Sequence, residues 1–181
     1  MTCLALVVFA AAVGLGVFFI VTAVPYATSS QVLTPTSYPV GQAPGSALVV
    51  YDPGSTATVK DVARQMASSL QSKGYFVFLA GIDSKTAKGS TSDTSQYKVV
   101  IVGGPLKNGE SSSSVQSYLT NFSQGNGTLL GIFGVGNSNT SNNQIAPLPS
   151  GSSLIIKETG EISTTQGTST QSAEFVTQML R

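Results

Sequence analysis

Histidine is absent from this chain, cysteine occurs once, and charged side chains make up only 9% of its 181 residues. Without histidine and with Cys3 alone, the sequence holds no His/Cys metal cluster, no Ser/His/Asp triad, no Cys/His pair and no structural disulfide. Cys3 opens an apolar run and reads as a free thiol at its edge. The formal net charge of +1 speaks against nucleic acid as the main partner. Soluble domains usually carry roughly 25% charged residues. The polar surface here must therefore be built from Ser, Thr, Asn and Gln, a composition suited to the cell exterior.

What the sequence does have begins with Leu4 to Val24, 21 uncharged and mostly apolar residues, long enough to cross a bilayer as one helix. Residues 1–25 are expected to form this anchor. A cleaved signal peptide is the alternative, but it would show a basic leader and a clear cleavage site. No Lys or Arg precedes Lys60, so the positive-inside rule has nothing to count. Asn121, Asn126 and Asn139 begin glycosylation acceptor triplets, which favours the domain lying outside. Residues 26–46, with Pro35, Pro39 and Pro44, have the composition of a stiffened tether. The other reading of this stretch is a segment laid along the domain or a partner through Val32, Leu33, Tyr38 and Val40.

Residues 47–181 read as one α/β domain organised around Ala47 to Ala80. Ala47 to Tyr51 has the composition of a buried parallel strand, broken by Asp52-Pro53-Gly54. Val59, Val62, Ala63, Met66, Ala67 and Leu70 then recur on one helical face. Thr58 with Asp61 is expected to form a capping box, and Gly74 a left-handed stop. Tyr75 to Ala80 returns as a second strand, Ile82 to Gln96 reads as loop, and Tyr97 to Val102 as a third strand ended by Gly103-Gly104-Pro105. Ser113 with Gln116 suggests a second capping box, before a helix burying Val115, Tyr118, Leu119 and Phe122. Thr128 to Phe133 is the fourth strand, closed at Gly134 and Gly136, Leu154 to Ile156 the fifth, and Ala173 to Arg181 the last helix. Right-handed crossovers would bring three glycine-bearing loops to one rim of a doubly wound parallel five-stranded sheet.

These pieces resemble the flavodoxin family over roughly residues 47–180. The resemblance lies in Tyr51 and its hydroxyl-rich loop, Val99 to Val102 with Gly103-Gly104-Pro105, the serine run before Val115, and Gly131 to Gly136. It implies a flavodoxin-like fold and an FMN site, with Ser55, Thr56 and Thr58 at the phosphate and Gly103, Gly104, Asn108 and Gly134 around the ring. Thr56 and Ala57 stand where the family has Gly and Asn, and Pro105 to Gly109 lacks the aromatic residue that would stack on the flavin. Asn137 to Ser153, with Pro147 and Pro149, offers no counterpart of the family's helix between the fourth and fifth strands. One sheet face around Leu129, Ile132 and Ile155 is then expected to lie uncovered.

The leading expectation is a non-catalytic accessory or stabilising subunit of a membrane complex, with no cofactor. It would meet other subunits through the apolar helix and the uncovered face. The second is an FMN-binding electron carrier tethered to a membrane redox partner. A filament subunit with an apolar N-terminal packing helix is the third, disfavoured by the doubly wound head. An enzyme with its own substrate is less favoured still, because Asp52 and Lys107 are the only acid/base groups near the loops.

Overall fold

The computed structural model describes residues 30–34, 44–54, 56–137, 142–146, 148 and 151–181. The apolar run Leu4 to Val24 lies outside them. Among the described residues no helix is long and apolar enough to cross a membrane.

The domain core is a parallel sheet of five strands: β2 (Ser46–Tyr51), β3 (Phe76–Gly81), β4 (Tyr97–Lys107), β6 (Leu129–Gly136) and β7 (Ile156–Ser163). Their spatial order is β3-β2-β4-β6-β7, the doubly wound order that reverses direction between β2 and β4. Two strands are added to this frame. β1 (Gln31–Leu33) pairs antiparallel with the outer side of β3, Gln31 opposite Leu79 and Leu33 opposite Val77. The two-residue β5 (Glu110–Ser111) folds back on the end of β4. Residues 31–33 thus belong to the sheet, not to a free tether; Leu33 packs against the core as an anchor would, whereas Val32 is 58% exposed.

Helices cover both faces. α1 (Ala57–Ser72) and α5 (Thr168–Met179) lie on one, where Val62, Ala63, Met66, Leu70, Phe175 and Met179 meet Val49, Ile101 and Phe133. α1 buries the six residues that its periodicity selects. Val59, Val62, Met66 and Leu70 each contribute about 1.5–3 kcal/mol of transfer free energy, the two alanines less. Gly74, at φ 93°, closes α1 as expected. The Gly74 and Tyr75 amides return to the Gln71 and Leu70 carbonyls in a Schellman motif.

The opposite face carries α2 (Lys85–Ser90), α3 (Ser113–Thr120) and the short α4 (Asn142–Ile145). α2 arises inside the stretch expected to be loop, because the Ser84 hydroxyl caps it by accepting from the Ala87 amide and Ala87 is buried. Val115, Tyr118, Leu119 and Phe122 are buried as anticipated.

Several boundaries move for identifiable reasons. Both capping boxes are displaced: Thr56 is the N-cap of α1 without a side-chain bond, and Asp61 pairs with Arg64 at 3.1 Å instead. Ser112, one residue before the expected cap, starts α3, and Gln116 reaches the Ser111 carbonyl. Gly103, Gly104 and Pro105 continue β4 rather than ending it. The Gly103 carbonyl accepts from Asp52 on the β2 side, so Pro105, two residues on, turns its missing N–H toward the same side, past the end of β2. The fifth strand starts at Ile156 and runs to Ser163, later than expected, since Gln124 clamps both the amide and the carbonyl of Ile155 before pairing begins. α5 starts earlier, at Thr168.

The expected bare face is largely closed. Ile132 is fully buried beneath Ile145 and Ala146 of the β6–β7 connection, and Leu129 packs against the α1/α5 core. Ile155 alone of the three is open, at 76% exposure. Among the described residues of this connection, Ile145 and Ala146 supply the cover, beside Val115, Leu119 and Phe122.

On the same face the Tyr118 hydroxyl meets Ser90 at 2.7 Å, and burial pushes its pKa up to about 12. The unfolded chain releases that proton near pH 10, so between the two values the folded chain holds the extra proton and stability falls as pH rises. The loss expected from pH 10 to 12 is about 2–3 kcal/mol, and Tyr118→Phe should remove that part of the slope. Burial raises Tyr51, Tyr75 and Tyr97 as well, so a shallower alkaline slope should remain in the variant. Denaturant unfolding at stepped pH measures it.

Candidate functional site

The carboxyl ends of β2, β4 and β6 form one rim, and the change of winding direction places a crevice between β2 and β4 there. The first loop starts at Asp52. Its amide donates to Gly103 at 2.8 Å, and its Oδ1 accepts from the Gly54 amide at 3.0 Å, fixing the turn. Its Oδ2 accepts from the Ser112 hydroxyl at 2.6 Å. Ser112 Oγ in turn accepts from the Val115 amide at the start of α3. One carboxylate thus ties the first loop to the N-terminus of the helix beyond the second. Asp52→Ala should cost about 1–2 kcal/mol, because it removes the charged acceptor of the part-buried Ser112 hydroxyl, while the exposed Gly54 amide can turn to water. A double-mutant cycle with Ser112→Ala in urea should give a coupling above about 0.5 kcal/mol.

Ser55 lies outside the described residues. Thr56 is exposed and extended at the N-cap of α1, Thr58 half-buried in the first turn. Among the described residues no side chain caps this helix, and no acidic residue stands in its first turn. Its free amides and dipole point at the rim, as anion binding requires.

The second loop takes another course. Asn108, at φ 53°, and Gly109, at φ 85°, form the two central positions of a hairpin between Lys107 and Glu110. Positive φ at both is the type I′ turn for which Asn-Gly is the preferred pair. The hairpin directs the Ser111 hydroxyl onto the Ile145 carbonyl and holds Leu106 over Gly134. A Cβ on Gly134 would stand 2.4 Å from Leu106 Cδ2. Gly103, Gly104 and Gly134 are all buried inside strands, with Gly104 opposite Gly134. The aromatic residues nearest the rim in β2 and β6, Tyr51 and Phe133, are 7% and 0% exposed and belong to the α1/α5 core. The third loop leaves at Asn137, whose carboxamide bonds to Thr164 and Ser163 at the end of β7.

The expected cofactor residues therefore divide. Thr56 and Thr58 stand together at an open helix start. Gly103, Gly104, Asn108 and Gly134 are spent on strand packing and a hairpin. Thr56 and Thr58 beside the free amides of α1 have the chemistry to hold a phosphate group, and among the described residues Leu106 is the side chain that lies over Gly134 between the ends of β4 and β6. Among the described residues no group of three or more Asp, Glu or Cys is gathered as a metal ligand set. Asp52, Ser112, Leu106 and Ser111 form the rim's framework. Only the hairpin had a plain signal in sequence, Asn108-Gly109. Of the glycosylation candidates, Asn121 and Asn126 are exposed and Asn139 lies outside the described residues.

No protein-family model matches the sequence, and no curated protein matches it. Solved structures do. The rubredoxin oxygen:oxidoreductase of Desulfovibrio gigas superposes with a TM-score of 0.58 at 21% identity, over 74% of this chain and 35% of that protein. A short-chain flavodoxin associated with a non-canonical PDU bacterial microcompartment gives 0.57 at 15%, over 75% and 97%. Oxidised flavodoxin 2 from Bacillus cereus gives 0.54 at 13%, over 75% and 98%. The chain thus spans about a third of the length of the first and nearly all of the two flavodoxins. The fold is flavodoxin-like.

Proposed function

We propose that this chain is a non-catalytic, flavodoxin-like accessory or stabilising subunit of a membrane protein complex, its domain held outside the cell by the apolar segment Leu4 to Val24. The observation that carries the non-catalytic part is the seat of Leu106 over Gly134, held by the Asn108-Gly109 hairpin. It puts an aliphatic side chain where a flavin ring would need an aromatic one and a gap. The length of the apolar segment supports the membrane part, and the acceptor triplets together with the scarcity of charge support the exterior.

A second reading, a tethered FMN-binding electron carrier, draws support from the uncapped start of α1 beside Thr56 and Thr58. In it the bound flavin would supply the redox chemistry, and these residues would hold its phosphate. The two readings part on one titration of FMN fluorescence with the purified full chain in mild detergent. The accessory reading expects no saturable quenching, a Kd weaker than about 100 µM. Micromolar binding abolished by Thr58→Val would establish the carrier. Isolation from the native membrane in mild detergent should bring other membrane subunits with the chain. Recovery as a lone stable monomer would refute the accessory role.

A further inference from the structure

The direction of β1 fixes the end of the domain at which the chain arrives. β3 runs toward the rim, and β1 is antiparallel to it, with Gln31 opposite Leu79 near the carboxyl end and Leu33 opposite Val77 near the amino end. The first described residue, Ser30, therefore stands at the rim end of the sheet. The Thr86 hydroxyl in the first turn of α2, just past the end of β3, donates to the Ser30 hydroxyl at 3.0 Å and holds it there. Chain arriving from the apolar segment enters beside the Asp83 turn, at the same end of the sheet as the Asp52 turn and not at the opposite end, where Phe76, Tyr97 and Leu129 begin their strands.

Only Pro25 to Ser29 separate Val24 from Ser30. Six chain steps reach at most about 20 Å when fully extended. The headgroup layer of a leaflet takes up roughly 5–7 Å of that, leaving about 13–15 Å above the membrane surface. The six residues of β3 alone span about 20 Å along the strand. The link is too short to let the domain turn over and set its far end on the bilayer.

We infer that the carboxyl-end rim, with the exposed residues Thr56 and Asp83 of its first two turns, faces the bilayer that holds the apolar segment, and that the far end, with Gln96 and Asn126, faces away. This rests on the membrane anchor of the proposed function. The occupant of the space in front of the rim is the lipid headgroup layer. Its surface chemistry suits that neighbour: Pro53, Gly54 and Thr56 are uncharged, and Asp83 is followed by the exposed Lys85 and Lys88. A ligand held at the start of α1 would then lie between the domain and the membrane, out of reach of a large soluble partner.

The test uses the full chain carrying Cys3→Ser, reconstituted into phosphatidylcholine vesicles that contain a headgroup-nitroxide lipid. A fluorophore is placed in turn at Thr56→Cys, Asp83→Cys, Gln96→Cys and Asn126→Cys, all exposed sites. Quenching is expected to be several-fold stronger at the two rim sites than at the two distal ones. Inserting about 20 Gly/Ser residues between Ser29 and Ser30, with a mean reach of roughly 25 Å, should level the four. Equal quenching at both ends of the uninserted chain, or stronger quenching at Gln96 and Asn126, overturns the orientation while leaving the anchor standing. Failure of the chain to float with the vesicles overturns the anchor and the orientation together.

Discussion

Gly103→Ala should destabilise the domain by about 3 kcal/mol, a cost at the upper end of overpacking substitutions. A methyl there would lie 2.3 Å from both the carbonyl oxygen and a ring carbon of Phe133 on the neighbouring strand. The ring belongs to a fully buried residue that has nowhere to withdraw, and the carbonyl is part of the β4–β6 ladder. Relief must come from separating two central strands at the position where Tyr51, Gly103 and Phe133 align. Phe133→Leu in the same chain should recover only part of the loss, since it removes the ring atom but not the oxygen. Urea midpoints of the two single variants and the double variant measure this. A loss below about 1 kcal/mol for Gly103→Ala would mean that the strands part easily and the rim is less tightly built than described.

Ile145→Ala is expected to cost about 2–4 kcal/mol, the range for truncating a fully buried aliphatic side chain. Ile145 is 0% exposed, although it sits in a helix of only four residues inside the β6–β7 connection. It is packed with Ile132 and Leu130, and its carbonyl receives the Ser111 hydroxyl from the β5 hairpin. The side chain thus covers the β6 part of a sheet face that α2 and α3 cover elsewhere, and the main-chain carbonyl of the same residue is the post to which the second loop is tied. Its truncation should also raise binding of a hydrophobic dye, because Leu130 and Ile132 would meet water. A near-neutral Ile145→Ala with no added dye binding would show that this face is closed by something else.

The alkaline stability of Tyr118 and the coupling of Asp52 with Ser112 test other contacts, α2 against α3 and the first loop against α3. All four can be measured without knowing a ligand.

The amino-acid sequence by itself determined the α/β alternation and most of its core. Unbroken Val and Ile runs mark strands buried on both faces, and the spacing of Val59 to Leu70 marks a helix with one dry side. Both are local periodicities, and hydrophobic burial acts on them wherever the chain places them. Glycine and proline were misleading at the rim. Gly103, Gly104, Pro105 and Gly134 look like loop formers in isolation, yet each is explained by a neighbour distant in sequence: Phe133, Ser112, the end of β2 and Leu106. The Thr58 and Ser113 caps failed for a related reason. An N-cap depends on where the preceding strand and turn deliver the chain, and Asp52 sets that point by reaching 60 residues ahead to Ser112. The edge strand β1 was equally illegible, because three residues carry no period and pair only when the side of β3 is there to receive them. Tertiary structure alone decided that the second loop is a hairpin filled by its own leucine, that Ile145 is drawn onto β6, and at which end the chain enters. Each of these is a contact between residues far apart in sequence, and local pattern does not encode its partner.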